Sequence, residues 1–362
     1  MVEDTQVQVG QVLDDLASHH FERPLLWCYN WMLAGLLARL PAAARLLHAT
    51  EAHFDMPGLT SFLPRLRAAV AISDLTVAVS AGVEAGLRSR IEGAEIVTVT
   101  NGCDYVQYSK GTPDAALAAM RGARTKIAIY AGNINRRLDF NLLRRLASAH
   151  PEVLFALYGP VSVLEEADKT SWKQVLSMNN VTAPGAVDPD RLPDLYSVAD
   201  LGLIPYRQEP WLVENGLPLK ALEMGASGLP VVSSLMKPLV GVAAGLVVTS
   251  SADEFLAAFE RTSRATLSAA ALTELKAVSS ANDYDNKFEQ ILKALEERTR
   301  GLSVTTRVDE LIDILGSEWL ASERRLSNRL TALVPSRVPA RLLKAVARRV
   351  PAKLKRRPGS RD

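Results

Sequence analysis

Two periodicities alternate along the chain. Short continuous apolar runs of strand length occupy residues 127–131, 153–158, 201–204, 230–233 and 245–248, and residues 180–182 open a further short strand. Between them lie stretches whose apolar positions recur at helical spacing, as Leu142, Leu143 and Leu146 do within 138–150. Asp188-Pro189 reads as a helix start, with the aspartate as cap and the proline in the first turn. Residues 218–226 read as a helix that Gly228 stops. Strands alternating with helices at this spacing predict a parallel, doubly wound α/β sheet with helices on both faces. The front of the chain shares this grammar. Residues 25–29, 46–49, 75–80 and 96–99 are its strand candidates, and Asn101-Gly102 marks a turn after the last of them.

The polar stretch 109–124 reads as a linker and a short helix, which divides the chain into an α/β unit over 1–109 and a second over 110–300. Helices are expected from Ser251 through Arg300 and again over 308–330, so that 301–362 form a helical region ending in a basic tail. The length, 362 residues, suits two domains. No apolar run reaches the roughly 18 residues of a membrane-spanning helix. The N-terminus shows no secretory pattern. Two lone cysteines, Cys28 and Cys103, fit a reducing cytoplasm better than a disulfide scaffold.

Charge changes this picture at one end. From Glu323 to Asp362 the chain carries thirteen Lys or Arg and two acidic residues, a net of +11, which leaves −9 on the 322 residues before it. Within the tail, 338–350 separates apolar from cationic positions on a helix, and no aromatic residue is present for base stacking. Residues 336–362 are therefore expected to meet an anionic membrane surface, with a solvated terminus as the plain alternative, and no nucleic-acid partner is expected.

The chemistry concentrates in 204–233. The loop after the strand 201–204 emerges at the carboxyl edge of the sheet, where open α/β folds bind ligands. Asn215-Gly216 is read as a tight turn and Pro218 as the first turn of the next helix. The unpaired N–H groups and positive end of that helix suit a phosphate or diphosphate, and Lys220 adds a point charge. Glu223, one turn further on, is placed to accept hydrogen bonds from vicinal hydroxyls such as those of a ribose. Elsewhere, the five histidines and two cysteines show no metal-ligand spacing, and no Gly-x-x-x-x-Gly-Lys-Ser/Thr loop occurs. Asp188-Pro-Asp190 is explained by capping.

Pro-Leu-Lys-x-x-Glu-x-x-x-x-Gly-x-Pro-Val-Val, at 218–232, resembles the donor-site signature of GT-B glycosyltransferases of the glycosyltransferase family 4 type. Val-Ala-Asp-Leu-Gly-Leu-Ile-Pro-Tyr at 198–206 and Tyr-Ala-Gly-Asn-Ile-Asn-Arg-Arg-Leu-Asp at 130–139 resemble two further family segments. So do Asp-Leu-Thr-Val-Ala-Val-Ser at 74–80 and Val-Thr-Asn-Gly-Cys-Asp at 99–104. The resemblance implies two Rossmann-like parallel sheets and a nucleotide diphosphate sugar as substrate, with no resident cofactor and no metal. It implies that Glu223 holds the ribose, that backbone N–H groups around Gly216, Leu217 and Leu219 meet the diphosphate and sugar, with Pro218 shaping the turn, and that Glu214 and Lys220 line the same donor site. Arg137, with Arg136 as alternate, would neutralise the phosphates, and Gly132 would let the backbone approach them. The family often spaces two glutamates by seven residues; here Asn215 holds the first position and Glu214 is one place off, so Asn215 takes the catalytic role by analogy. Asn133 replaces one of the family's two basic residues in the opening loop.

The front of a full GT-B N-terminal domain is expected to be abbreviated here, its opening two or three β/α units absent. That leaves a short form, a truncated reading frame or half of a protein partnership. Glu51, His53 and Asp55 follow a strand and are the acceptor-side candidates. No unambiguous general base is present, which favours retention of configuration. The functions that follow are sugar transfer to a carbohydrate or lipid-linked acceptor in cell-surface polysaccharide or glycolipid synthesis, a non-catalytic nucleotide-sugar-binding subunit, or a sugar-nucleotide epimerase.

Overall fold

The computed structural model describes residues 2–19, 21, 24–56, 63–163, 165–299 and 307. The expected helix over 308–330 and the basic tail 336–362 lie outside the described residues. The first half runs α1 (Val2–Ser18), β1 (Leu25–Cys28), α2 (Ala34–Arg39), β2 (Ala44–Ala49), α3 (Leu63–Ala71), β3 (Leu75–Ala78), α4 (Ala81–Arg88), β4 (Ile96–Thr98), α5 (Tyr105–Tyr108) and α6 (Ala115–Arg121). The second runs β5 (Lys126–Ala131), α7 (Phe140–Ala149), β6 (Val153–Tyr158), α8 (Glu166–Leu176), β7 (Val181–Gly185), α9 (Leu192–Val198), β8 (Leu201–Ile204), α10 (Pro210–Asn215), α11 (Leu219–Ala226), β9 (Val231–Ser234) and β10 (Leu246–Thr249). Three helices close it: α12 (Ala252–Arg264), α13 (Ala269–Ala281) and α14 (Tyr284–Thr299).

The strands form two separate parallel sheets, one of four strands in the order β1-β2-β3-β4 and one of six in the order β10-β9-β8-β5-β6-β7. Every residue of β6, β8 and β9 is buried, as expected of strands covered on both faces. Local chemistry sets the helix starts: Ser80, Asp114, Asp139, Ser251 and Ser268 each accept a backbone N–H from the first turn of the helix they precede. The N-terminal helix α1 and the short α10, which opens on Pro210, were not among the elements expected from the sequence.

The smaller sheet divides its core by side-chain parity. Leu47 and Ala49 face α2, α3 and α4, where Trp31, Leu37, Leu66, Val70 and Leu87 pack. Ala44, Leu46, Leu75 and Val77 face the other way, and there Ile291 and Leu295 of α14 close the core. The last helix of the range 110–300 thus belongs spatially to the first sheet. Its return is fastened where Cys103 pairs with Asp283: the Cys103 N–H donates to the Asn282 carbonyl at 3.1 Å and the Tyr284 N–H to the Cys103 carbonyl at 3.0 Å. Above this junction Phe288 stacks on Trp27 at 5.7 Å, and Trp27 stacks on Tyr29 at 6.1 Å. The Trp27 indole N–H donates to His48 Nδ1 at 3.4 Å, which requires that nitrogen to be unprotonated. Burial holds His48 at a pKa of about 4, in accord with that bond.

Candidate donor site between the two sheets

In the larger sheet the strand order reverses between β5 and β8, because β6 and β7 continue on one side of β5 whereas β8 begins on the other. Such a switch point opens a crevice at the carboxyl ends of the two strands. Gly132 follows β5, and Tyr206 follows β8. The two loops are tied together by the bridge between Leu138 and Tyr206 and by the Arg207 N–H, which donates to the Arg137 carbonyl at 2.7 Å. The Arg207 side chain is anchored in turn by an ion pair with buried Asp168.

The N-terminal turn of α11 enters this crevice. Lys220 is only 9% exposed, and its Nζ donates to Tyr206 Oη at 2.7 Å while lying 4.3 Å from the centre of the Tyr130 ring. No carboxylate pairs with it among the described residues. Burial alone raises the Tyr206 hydroxyl, but the hydrogen-bonded Lys220 ammonium overrides it and holds that hydroxyl below the usual phenol range. Gly132 takes φ +148°, and a Cβ there would stand 2.6 Å from Lys220 Nζ. Only glycine lets the β5 loop pass this close to the ammonium. A buried cation without an anionic partner is costly.

Arg137 lies at the rim, its guanidinium carbon 5.2 Å from the centre of the Trp211 ring and Nη2 at 2.6 Å from Glu51 Oε1. Burial works against its charge, and the Glu51 carboxylate more than offsets this, raising its pKa. Glu223 is half-buried one turn beyond Lys220. Burial raises the Cys103 thiol first, and the charge of the Glu223 carboxylate adds to it.

Other sequence candidates stand elsewhere. Glu214 is exposed and pairs with Lys237 at 2.7 Å on the surface. Asn215 is buried at the end of α10: its Nδ2 donates to the Trp211 carbonyl at 2.9 Å, and its Oδ1 lies 2.3 Å from where a Cβ on Gly82 would sit. It is a contact between the two halves. Ser80 Oγ reaches its carbonyl at 3.4 Å. Gly216 has ordinary extended backbone, φ −66°, so Asn215-Gly216 is no left-handed turn. Gly216 is demanded instead by closeness, since a Cβ would stand 2.5 Å from the Leu212 carbonyl. Its N–H already donates to that carbonyl at 2.8 Å, leaving Leu217, Leu219 and Lys220 as the N–H groups at the mouth of α11, with Pro218 one residue before the helix. Arg136 is exposed. On the opposite wall His53 sits near Glu51 and Arg137; burial lowers its pKa first, Glu51 opposes and Arg137 adds. Asp55 turns away to Arg90 at 2.8 Å.

Tyr130, Tyr206 and Asn101 were not marked by the sequence. Asn101 Nδ2 donates to the Leu217 carbonyl at 2.7 Å and so ties the first half to the α11 loop. The signals for the tyrosines were their positions at the ends of apolar runs and within the two family-like segments 130–139 and 198–206.

Two parallel α/β sheets facing one another across such a crevice constitute a GT-B fold. The same architecture occurs in sucrose-phosphate synthase from Thermosynechococcus elongatus (TM-score 0.64, 16% identity, 82% of this chain and 78% of that one). It occurs also in Anabaena HepE in complex with UDP and glucose (TM-score 0.61, 16% identity, 80% and 81%). At these identities the likeness is one of fold. Residues 125–264 match the model of the glycosyl transferases group 1 family. A protein of Bacillus subtilis (strain 168) bearing the name teichuronic acid biosynthesis glycosyltransferase TuaH is 30% identical over 155 residues, 40% of this chain and 38% of that relative's length. Residues 125–264 are thus similar to the group 1 glycosyltransferases, within a chain whose fold is GT-B and which spans 38% of the length of that relative. Among the described residues no helix is long and apolar enough to cross a membrane, and no cluster of three or more His, Cys, Asp or Glu is placed to hold a metal.

Proposed function

We propose that the chain transfers a sugar from a nucleotide diphosphate sugar to a carbohydrate or lipid-linked acceptor, in the synthesis of a cell-surface polysaccharide or glycolipid. The observation that carries this reading is the buried ammonium of Lys220, without a carboxylate partner among the described residues, at the switch point of the larger sheet. With the N–H groups at the mouth of α11 and Arg137 at the rim, it makes a cationic seat for a diphosphate. Glu223 holds the ribose. As the bond from the sugar's anomeric carbon to the diphosphate oxygen breaks, negative charge gathers on that oxygen, and Lys220 and Arg137 stabilise it. The acceptor oxygen bonds to the same carbon, and its proton passes to the departing phosphate, so configuration is retained without a protein base. These two side chains supply positive charge that a metal would otherwise bring, so EDTA is expected to leave transfer unchanged.

A protein that binds the donor without turnover is the second reading. It is favoured by Asn215, which is engaged between the halves instead of facing a sugar. Residues 336–362 are proposed to rest on the anionic inner face of a membrane, which liposome co-sedimentation with and without them tests. Incubation with a panel of UDP-, GDP- and TDP-sugars separates transfer from binding alone. Glu223→Ala is expected to weaken nucleotide binding about tenfold through the lost ribose hydrogen bonds; unchanged affinity removes it from the site. The anomeric configuration of the product, read by NMR, tests retention, with His53 as the base if the product is inverted.

A further inference from the structure

Glu51 belongs to the first half of the chain, just after β2, yet its carboxylate lies on a donor-side residue. Both its oxygens reach Arg137 Nη2, at 2.6 and 2.8 Å. Because β2 and β5 belong to different sheets, this ion pair spans the crevice between them. Its side chains are 33% and 30% exposed, so solvent and an entering ligand reach it. The backbone of Arg137 is fixed from behind by Arg207, itself paired with Asp168, while its guanidinium flanks Trp211. The loop therefore keeps its place whichever anion the guanidinium holds.

The N–H groups of Arg137 Nη2, while they grip the Glu51 carboxylate, are not available to a phosphate. Lys220, deeper in the crevice, has no such carboxylate. The two cations of the site thus differ: one waits for an anion, and the other already has one from the opposite wall. We infer that Glu51 is a positioning residue that occupies the phosphate seat on Arg137 in the empty protein and is displaced when a nucleoside diphosphate enters. This rests on the donor reading of the site. The exchange replaces one anion by another, so the partly buried guanidinium is never left unpaired, a state that is strongly unfavourable. It also couples occupancy of the larger sheet to a contact made by the smaller one. A displaced Glu51 is free beside His53, whose N–H is bonded to the Glu51 carbonyl at 2.9 Å. When the carboxylate returns to Arg137 it competes with the nucleoside diphosphate and hastens its departure.

The test is titration calorimetry of UDP, GDP and dTDP into the full chain, its Glu51→Gln and Arg137→Met variants, and the double variant, with stopped-flow release of the bound nucleotide. Glu51→Gln is expected to tighten binding about fivefold, the scale of a partly exposed ion pair, with slower release. In the Arg137→Met background the same change is expected to do nothing, because the competition runs through that guanidinium. Unchanged or weaker binding by Glu51→Gln overturns the inference. Equal tightening with and without Arg137 also overturns it, since that is a general effect of removing a negative charge. Glu51→Ala repeats the comparison if circular dichroism shows the Gln variant unfolded. Absence of binding by every form overturns both this inference and the donor reading, whereas binding indifferent to Glu51 overturns this inference alone.

Discussion

The two sheets are built from the same kind of strand, but only one of them makes a crevice by itself. The larger sheet reverses its strand order between β5 and β8, and Gly132, Tyr206 and Lys220 converge where it does. In the smaller sheet the described strands run β1 to β4 in sequence, with no reversal. Its carboxyl edge contributes through what it places against the neighbour: Glu51 on Arg137, Asn101 on the Leu217 carbonyl, Gly82 against Asn215. The sheets also differ in how they are closed. Helices from its own stretch of chain and from the α5 and α6 segment just before it cover the larger one, whereas one face of the smaller one depends on α14, from the far end of the described chain. A ligand seat therefore follows from topology in one half and from docking in the other.

The largest expected effect breaks the docking. Ile291→Ala removes a side chain that is 3% exposed on the open face of the smaller sheet and should cost about 3 kcal/mol. Denaturant melts should show the loss in the first half, while UDP affinity measured on the folded protein changes little. If the larger sheet melts first instead, the division of stability described above is wrong.

Lys220→Met addresses the other half. Losing a charge-assisted contact to phosphate should weaken nucleoside diphosphate binding roughly 100-fold. Thermal stability should hold or rise, because a buried ammonium is replaced by an apolar chain of similar length. Calorimetry and melting on one sample check both, and a fall in stability with unaltered binding would assign Lys220 to the fold.

A smaller effect comes from His48. Its pKa of about 4 lies below the ordinary value of 6.5, so the unfolded chain binds more protons between those pH values. Stability is present in full above pH 6.5 and declines as pH falls toward 4, by at most about 3 kcal/mol. Denaturant titrations at pH 7 and pH 4.5 should show this loss, and His48→Phe should reduce it. The smallest effect is expected from Glu214→Ala: with its carboxylate on exposed Lys237, nucleotide affinity should change less than about twofold.

Much of the fold was legible because burial writes itself into composition. The runs 127–131, 153–158 and 201–204 became β5, β6 and β8 with end shifts of one residue or none, since strands covered on both faces admit only apolar residues. The cap at Asp188 was legible for a similar reason, as a short polar side chain there satisfies a local N–H. The site was legible in part. Lys220, Glu223 and Gly132 were marked by one string of residue types along one strand–loop–helix segment and by the loop before it. The partners of Glu214, Asn215 and Asp55, which are Lys237, the Trp211 carbonyl and Arg90, were not legible, because spacing along the chain says nothing of which wall a side chain meets.

Taken alone, the amino-acid order determined the strands, most helices, the resemblance to a donor-site signature and the set of charged residues available for it. Those are short-range properties, set by side-chain burial and by backbone groups within a few positions of each other. Only the tertiary structure decided which residues the crevice gathers. Strand order, the return of α14 to the smaller sheet and the pairing of Glu51 with Arg137, 86 positions apart, depend on contacts between distant segments. Such contacts leave no period in the chain, because each is fixed by the geometry of two packed surfaces and not by neighbours along either one.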